Sequence, residues 1–453
     1  MKNTVDIKQH IRSLSKKAFA GNQLEIESKS SEIRHNIGLV GNKFNPKRKN
    51  NSKFYPLSLS SWDYEEKKAI LEQLEIGEYT MGEKVELFER KFADYFNSKY
   101  ALMVNSGSSA NLLIIAALVL SPKYNFNSGD EVIVPAVGWS TSYSPFYNYG
   151  IKLRFVDIDP MTLNIDENKI EDAITSKTRA ILGINILGNP IEFKRIQEIC
   201  KNNNLILIED NCESLGASYN SKYCGTFGLA GSHSFFFSHH IQTIEGGMIT
   251  TDEKEIFEYL KCIRAHGWTR DLSYDSKLKN STGEKFRDSY RFVLPGYNLR
   301  PNELNAAVGL CQLRKFESFL KIRRKNAEIF KGLFSKKPFC KIQSCGQESS
   351  WFGFSIILDG NLKNKRSHVI YELDKVGIES RPIVTGNFLK NPVKRFYDYT
   401  ISNNLKNTEV IDNSGFYVGN YNKILTKELN KLFLILSELN KKYENENNKK
   451  KIN

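Results

Sequence analysis

Four short segments hold residues whose types and spacing suit chemistry on a bound ligand. In Asn105-Ser106-Gly107-Ser108-Ser109-Ala110-Asn111, small hydroxyl residues and a glycine separate an apolar run from a helical one. Backbone N–H groups at such a helix N-terminus suit a phosphate, and a plain serine N-cap leaves the same pattern. In Pro135-Ala136-Val137-Gly138-Trp139-Ser140, an indole just past a strand end either stacks on a planar ring or fills the core. In Ile208-Glu209-Asp210-Asn211-Cys212-Glu213-Ser214, a carboxylate ends an apolar strand, where it needs a partner. A pyridinium nitrogen is one such partner, which Asp210 would keep protonated; an N-cap or a salt bridge is another. The fourth segment runs from Ser234-Phe235-Phe236-Phe237-Ser238 through His239-His240 to Glu245-Gly246-Gly247. Adjacent histidines after a run of aromatics sit where imidazole pKa values shift easily. Consecutive strand residues face opposite sides, so the pair does not readily share a metal.

Ligands of open α/β sheets bind at the carboxyl ends of strands, so these segments require such a sheet. Runs of strand length occur at Tyr100–Val104, Glu131–Val134, Leu153–Val156, Ala180–Ile184, Leu205–Ile208, Ser234–Phe237 and Gly247–Thr250. Helical spacing marks Glu65–Leu74, Lys84–Tyr95, Ser109–Leu120, Asp166–Ile174, Glu192–Cys200 and a long helix from Asn302 to about Phe334. The alternation predicts an α/β fold with a mostly parallel sheet and a smaller C-terminal α+β domain. The expected division is a basic flexible arm over 1–52, a large domain over 53–300, a small domain over 301–443 and a polar tail over 444–453. Ile7, Ile11 and Leu14 could form one short amphipathic helix within the arm. Residues 273–290 read as a polar surface excursion, and no internal repeat is evident.

Composition narrows the function classes. The 453 residues carry a net charge of +14, but residues 1–50 hold a Lys/Arg surplus of seven and residues 441–453 one of three. Only four charges of the surplus fall on the rest, so no basic folded face for nucleic acid is expected. Seven cysteines form no Cys-x-x-Cys or Cys-x-Cys pair, which disfavours a disulfide scaffold, zinc or an iron–sulfur cluster. Reduced thiols in a cytoplasmic enzyme are the expectation. The longest aliphatic run, Leu112–Leu120, falls far short of the ~20 residues a membrane span needs. No secretory signal is evident either.

In this order and at these separations, the four segments resemble the fold-type-I pyridoxal-phosphate enzymes of the DegT/DnrJ/EryC1/StrS sugar aminotransferase family. The resemblance spans about residues 54–440 and includes Gly296-Tyr297-Asn298-Leu299-Arg300-Pro301-Asn302-Glu303. Aminotransferases of the family place a cofactor-tethering lysine where this chain has His239, and no lysine lies between Lys222 and Lys254. An imidazole cannot tether the aldehyde but can move protons. That exchange marks a subgroup of 3-dehydratases acting on nucleotide-linked 4-keto-6-deoxy sugars. The stretches Arg264–Arg270 and Arg381–Phe388 resemble members acting on the GDP-linked mannose derivative, in the route to colitose. The branch acting on a CDP-sugar carries a [2Fe–2S] cluster on cysteines that include a Cys-x-Cys, which is absent here.

The resemblance implies roles residue by residue. Gly107, Ser108 and Ser234 would bind the phosphate of pyridoxal 5′-phosphate or pyridoxamine 5′-phosphate, with Asn298 reaching it from a partner subunit. Trp139 would stack on the ring, Asp210 would pair with its nitrogen and Glu213 would contact its substituents. His239 would be base and acid. His266 and Arg300 would hold L-glutamate, the amino donor. Arg270, Glu379 and the loop Gly77-Glu78-Tyr79-Thr80 would contact the nucleotide sugar. The implied products are a 4-keto-3,6-dideoxy sugar, 2-oxoglutarate and ammonia, made by a homodimer with shared sites. A dehydratase acting on a CDP-sugar, a sugar aminotransferase and a cofactor-binding protein without turnover are the competing readings.

Overall fold

The computed structural model describes residues 53–452, except 280 and 345. The expected arm over 1–52, with the helix on Ile7, Ile11 and Leu14, lies outside the described residues.

The strands of the large sheet are β1 (Tyr100–Val104), β2 (Glu131–Pro135), β3 (Lys152–Val156), β4 (Thr178–Ile184) and β5 (Ile206–Asp210). After a small hairpin of β6 (Ser218–Tyr219) and β7 (Lys222–Tyr223) come β8 (Ala230–Ser234) and β9 (Gly247–Thr251). Three more strands follow near the C-terminus, β10 (Cys340–Ile342), β11 (Gly353–Leu358) and β12 (Tyr399–Ile401), and then β13 (Gly415–Gly419). The large sheet runs β1-β9-β8-β5-β4-β2-β3-β12, and β9 alone is antiparallel to its neighbours. The carboxyl ends of β2, β4, β5 and β8 therefore share one edge. β2 is buried along its whole length, as a parallel strand covered on both faces must be.

Helices α1 (Tyr64–Ile76) and α2 (Glu83–Phe96) precede β1. A capping box starts α1, with Asp63 and Glu66 each bonding the other's backbone. Helix α3 (Gly107–Leu120) has leucine, isoleucine and alanine around most of its circumference and is buried in the main core. Helix α4 (Ser140–Asn148) contains Pro145, and α5 (Phe193–Asn203) and α6 (Lys254–Arg264) follow. Helix α7 (Glu303–Phe334), capped by Asn302, has 32 residues and spans ~48 Å. Its first half packs on α1 and α2, and its second half carries Ala327, Phe330 and Phe334 into a separate core. That core lies against the antiparallel sheet β10-β11-β13, helix α8 (Arg366–Lys375) and the last helix, α10 (Thr426–Ile452). Between them, α9 (Lys406–Ser414) leads into β13.

Two sequence expectations need correction. Asp166–Ile174 forms two short 3-10 turns rather than a helix, because Ile170 and Ala173 are drawn into the core with Val156 and Ile165 and the chain turns extended at Ile174. The strand expected at Ser234–Phe237 instead ends at Ser234, and Ala230-Gly-Ser-His-Ser, with little apolar bulk, makes the pairing. The polar stretch 444–453 continues the last helix to Ile452. In addition, β12, from within the expected C-terminal span, returns to pair with β3 at the edge of the large sheet.

Candidate active site

Asp210 closes β5 and is 5% exposed. Its Oδ2 accepts from Asn111 Nδ2 at 2.9 Å and Ser142 Oγ at 2.6 Å, and its Oδ1 accepts from the Cys212 N–H at 3.1 Å. Three donors from α3, α4 and the β5 loop thus fix one carboxylate. Beside it, Ser106 caps α3 by accepting from the Ser109 N–H, which leaves the N–H groups of Gly107 and Ser108 without acceptors inside the helix. A Cβ on Gly107 would sit 2.7 Å from the Ser234 Cβ and 2.8 Å from the Cys212 Sγ, so only glycine brings this turn so close to β5 and β8. Ser108 Oγ and Thr141 Oγ1 are 2.7 Å apart. Trp139, just before α4, is 56% exposed at the rim.

These groups line one cavity of about 310 Å³ with Glu213, Ser234, His239, Glu245, Arg381 and Tyr417. No lysine lines it. Glu213 Oε2 accepts from the Leu187 N–H at 3.0 Å. Burial pushes the Glu213 carboxyl up to about 7, with the Asp210 charge adding to burial and the Leu187 N–H opposing it.

The two adjacent imidazoles part company in the turn after β8. His239 is half-buried and faces the cavity, with its N–H donating to the Phe236 carbonyl at 2.8 Å. Its ring meets Phe352 edge-on at 5.1 Å and Phe236 at 6.0 Å. Burial, helped by the Arg323 guanidinium, lowers its pKa to about 4. His240 turns inward, 2% exposed, and its Nε2 donates to the Ser350 carbonyl at 3.1 Å. Among the described residues no cluster of His, Cys, Asp or Glu could hold a metal.

The other expected residues lie outside the cavity lining. His266, Asn298, Arg300 and the loop Gly77–Thr80 are exposed and are drawn together along one strip. Thr80 bridges Asn302, Ala265 bridges Asn298, and the Asn105 N–H beside the glycine turn donates to the Leu299 carbonyl at 3.2 Å. Arg300 Nε donates to Asn298 Oδ1 at 3.0 Å. Arg270 stacks over Trp268, 5.1 Å from the ring centroid, in a separate recess with Lys279 and Lys285. Glu379 accepts from the Leu57 N–H at 3.1 Å and so ties down the entering chain.

Sequence reasoning missed Asn111, Thr141, Ser142, Arg381 and Tyr417 as cavity residues. Asn111 had a signal, since it lies four residues past Gly107 and shares its helix face. Tyr417 had none, because it reaches the cavity through long-range backbone pairing, with Ser355 of β11 and with Arg381, the latter at 3.0 and 2.8 Å.

A parallel sheet with a polar cavity at its carboxyl edge, beside a glycine turn and a strand-end aspartate, defines an α/β enzyme with an aminotransferase-type fold. The chain belongs to the DegT/DnrJ/EryC1/StrS aminotransferase family, whose profile matches residues 61–436. It is 51% identical over 389 residues to a GDP-4-keto-6-deoxy-D-mannose 3-dehydratase from Yersinia pseudotuberculosis, covering 85% of this chain and 98% of that protein. The structure of the Escherichia coli GDP-4-keto-6-deoxy-D-mannose-3-dehydratase with bound hydrated PLP is 50% identical, with a TM-score of 0.83 over 85% of this chain and 99% of that one. A structure of a GDP-4-keto-6-deoxymannose-3-dehydratase with a trapped PLP–glutamate geminal diamine matches with a TM-score of 0.82 at 50% identity. It covers 84% of this chain and all of that one.

Proposed function

We propose that the chain is a glutamate-dependent 3-dehydratase of GDP-4-keto-6-deoxy-D-mannose that uses pyridoxal 5′-phosphate and pyridoxamine 5′-phosphate without a covalent tether. One observation carries this reading: an imidazole, and no lysine, faces the cavity that the glycine turn and Asp210 build. The cavity fits the cofactor. Gly107 leaves room and two free N–H groups for a phosphate, and Asp210 is buried and held by three donors, as a partner of a ring nitrogen must be. When bound, the cofactor supplies an amino group taken from glutamate and an electron sink.

The chain's own residues do the rest. Gly107, Ser108 and Ser234 bind the phosphate, Trp139 covers the ring and Glu213 meets the ring substituents. Asp210, fixed by its three donors, would pair with the pyridine nitrogen and keep it protonated. His239 has a pKa of about 4, so it is neutral at pH 7 and ready to accept a proton. It then returns that proton to the departing C3 hydroxyl, which leaves as water. The balance closes: the oxygen lost from C3 equals the one gained when glutamate becomes 2-oxoglutarate and ammonia.

The same reading makes the enzyme a symmetric homodimer in which Asn298, His266 and Arg300 complete the neighbouring site. Their exposure on one strip supports it. Arg270, Glu379 and Gly77–Thr80 are assigned to the nucleotide sugar. No described helix is long and apolar enough to cross a membrane, and we place the enzyme in the cytoplasm.

Product analysis tests the reading. Incubation with cofactor, glutamate and GDP-4-keto-6-deoxymannose yields ammonia and a 4-keto-3,6-dideoxy product. An amino sugar, or turnover confined to a CDP-sugar, overturns it. Borohydride leaves no lysine-linked pyridoxyl adduct by mass spectrometry.

A further inference from the structure

Arg323 is a buried cation with no anion beside it. It lies on α7, 3% exposed, and no carboxylate among the described residues is within ion-pair reach of it. Its Nη1 donates only to carbonyls: Asn420 at 2.5 Å, Phe352 at 3.2 Å and Trp351 at 3.4 Å. Its Nε has no partner. Burying an unpaired charge is costly, and truncating or neutralising the side chain would relieve that cost. Its geometry leads to the cavity. The two carbonyls nearest β11 belong to the segment that presents the Phe352 ring, and that ring contacts His239 at 5.1 Å and His240 at 5.8 Å. His240 grips the same segment from the other side through the Ser350 carbonyl at 3.1 Å. Because a carbonyl only accepts, the His240 proton sits on Nε2 and its Nδ1 is left bare and buried. Burial, helped by the Arg323 guanidinium, drives His240 well below the ordinary histidine range, so it carries no charge.

We infer that Arg323 is a positioning residue for His239: it fixes the 351–352 backbone, and so the Phe352 ring, against the imidazole, and its unpaired charge holds that imidazole in the proton-accepting form. The inference rests on His239 acting as the base. Other charged and titratable groups face His239 as well. From the end of β5 and the loop after it come Asp210 and Glu213, from the segment before β9 Glu245, and from the C-terminal segments Arg381 and Tyr417, while the neighbouring His240 is turned to the Ser350 carbonyl. The three carboxylates favour an imidazolium. Arg381 and Arg323 oppose it, and of these two cations Arg323 is the one shut away from solvent screening.

The test compares Arg323→Gln, which keeps donors and drops the charge, with Arg323→Lys, which keeps the charge. The acid limb of the kcat/KM profile moves up by about one pH unit in Arg323→Gln and stays within a few tenths of wild type in Arg323→Lys. Both variants losing rate with the limb unmoved means a purely structural role and overturns the inference. The same titration read by NMR on isotope-labelled histidine, in the intact wild-type protein, needs neither turnover nor a folded variant. There the His239 signal, assigned by its loss in His239→Asn, titrates well below 6, and a midpoint at or above the ordinary ~6.5 also overturns it. Failure of the functional reading shows differently, as wild-type protein that releases no ammonia while His239 still titrates low.

Discussion

Inside the cavity, side chains are held by the chain's own groups: Asp210 by three donors, Glu213 by the Leu187 N–H, and His239 between two phenyl rings. On the strip beside it, His266, Asn298 and Arg300 stand exposed, joined by one side-chain bond of 3.0 Å. The first region is prepared for a ligand within one protomer. The second presents polar groups at an edge, the pattern expected of residues that finish a site across a symmetry axis. In the proposed dimer, one chain carries both most of its own pocket and residues that complete its partner's.

The largest effect should come from within the cavity. His239→Asn removes the group that moves the proton, and ammonia release falls by at least about 10²–10⁴-fold while cofactor absorbance on the protein persists. Near-normal ammonia release dissolves the distinction between the two regions. On the strip, Arg300→Gln removes the charge proposed to hold the donor's carboxylate, and the KM for glutamate rises by about 10–100-fold. Mixing these two variants sharpens the comparison most. If sites are shared, unfolding and refolding them together restores up to roughly a quarter of wild-type sites, whereas sites confined to single protomers regain nothing.

Smaller effects concern the walls. Gly107→Ala forces a methyl against Ser234 and Cys212, costing about 1–3 kcal/mol in denaturant unfolding and weakening cofactor retention in dialysis. Acid tests the buried imidazoles. His239 at about 4 and His233 at about 3 bind protons less readily folded than unfolded. Their contribution to the stability of the cofactor-free protein is therefore full above about 6.5 and is lost as pH falls from there toward about 3–4. Glu213, raised to about 7, works the other way between about 4.5 and 7. Glu213→Gln accordingly steepens the loss of stability on acidification, measured by urea midpoints across pH.

The sequence disclosed the cavity better than the strip, for physical reasons. β1, β2 and β5 are apolar runs whose burial follows from composition, and the reactive residues sit where those runs stop. β8 was displaced by four residues because Ala-Gly-Ser-His-Ser has no hydrophobic pattern and gains its place from neighbouring strands. The inference that adjacent histidines face apart held, but through a turn rather than strand alternation. Arg381 and Tyr417 were invisible as cavity groups because they arrive from the C-terminal sheet, a contact no local pattern encodes. Glu379 and Arg270 also make contacts within this chain that family likeness did not indicate, the one with the Leu57 N–H and the other with the Trp268 ring.

The turn at Leu187 has a consequence of its own. This residue holds a left-handed backbone, with φ of 49°, that a leucine rarely adopts. Glu213 fastens its amide, while its carbonyl accepts from the Phe352 N–H at 3.1 Å. A single strained residue thereby mechanically links the carboxyl in the pocket to the aromatic that rests on His239. Hydrogen–deuterium exchange at this amide should act as a gauge, slowing whenever something occupies the pocket and quickening when Glu213 lets go.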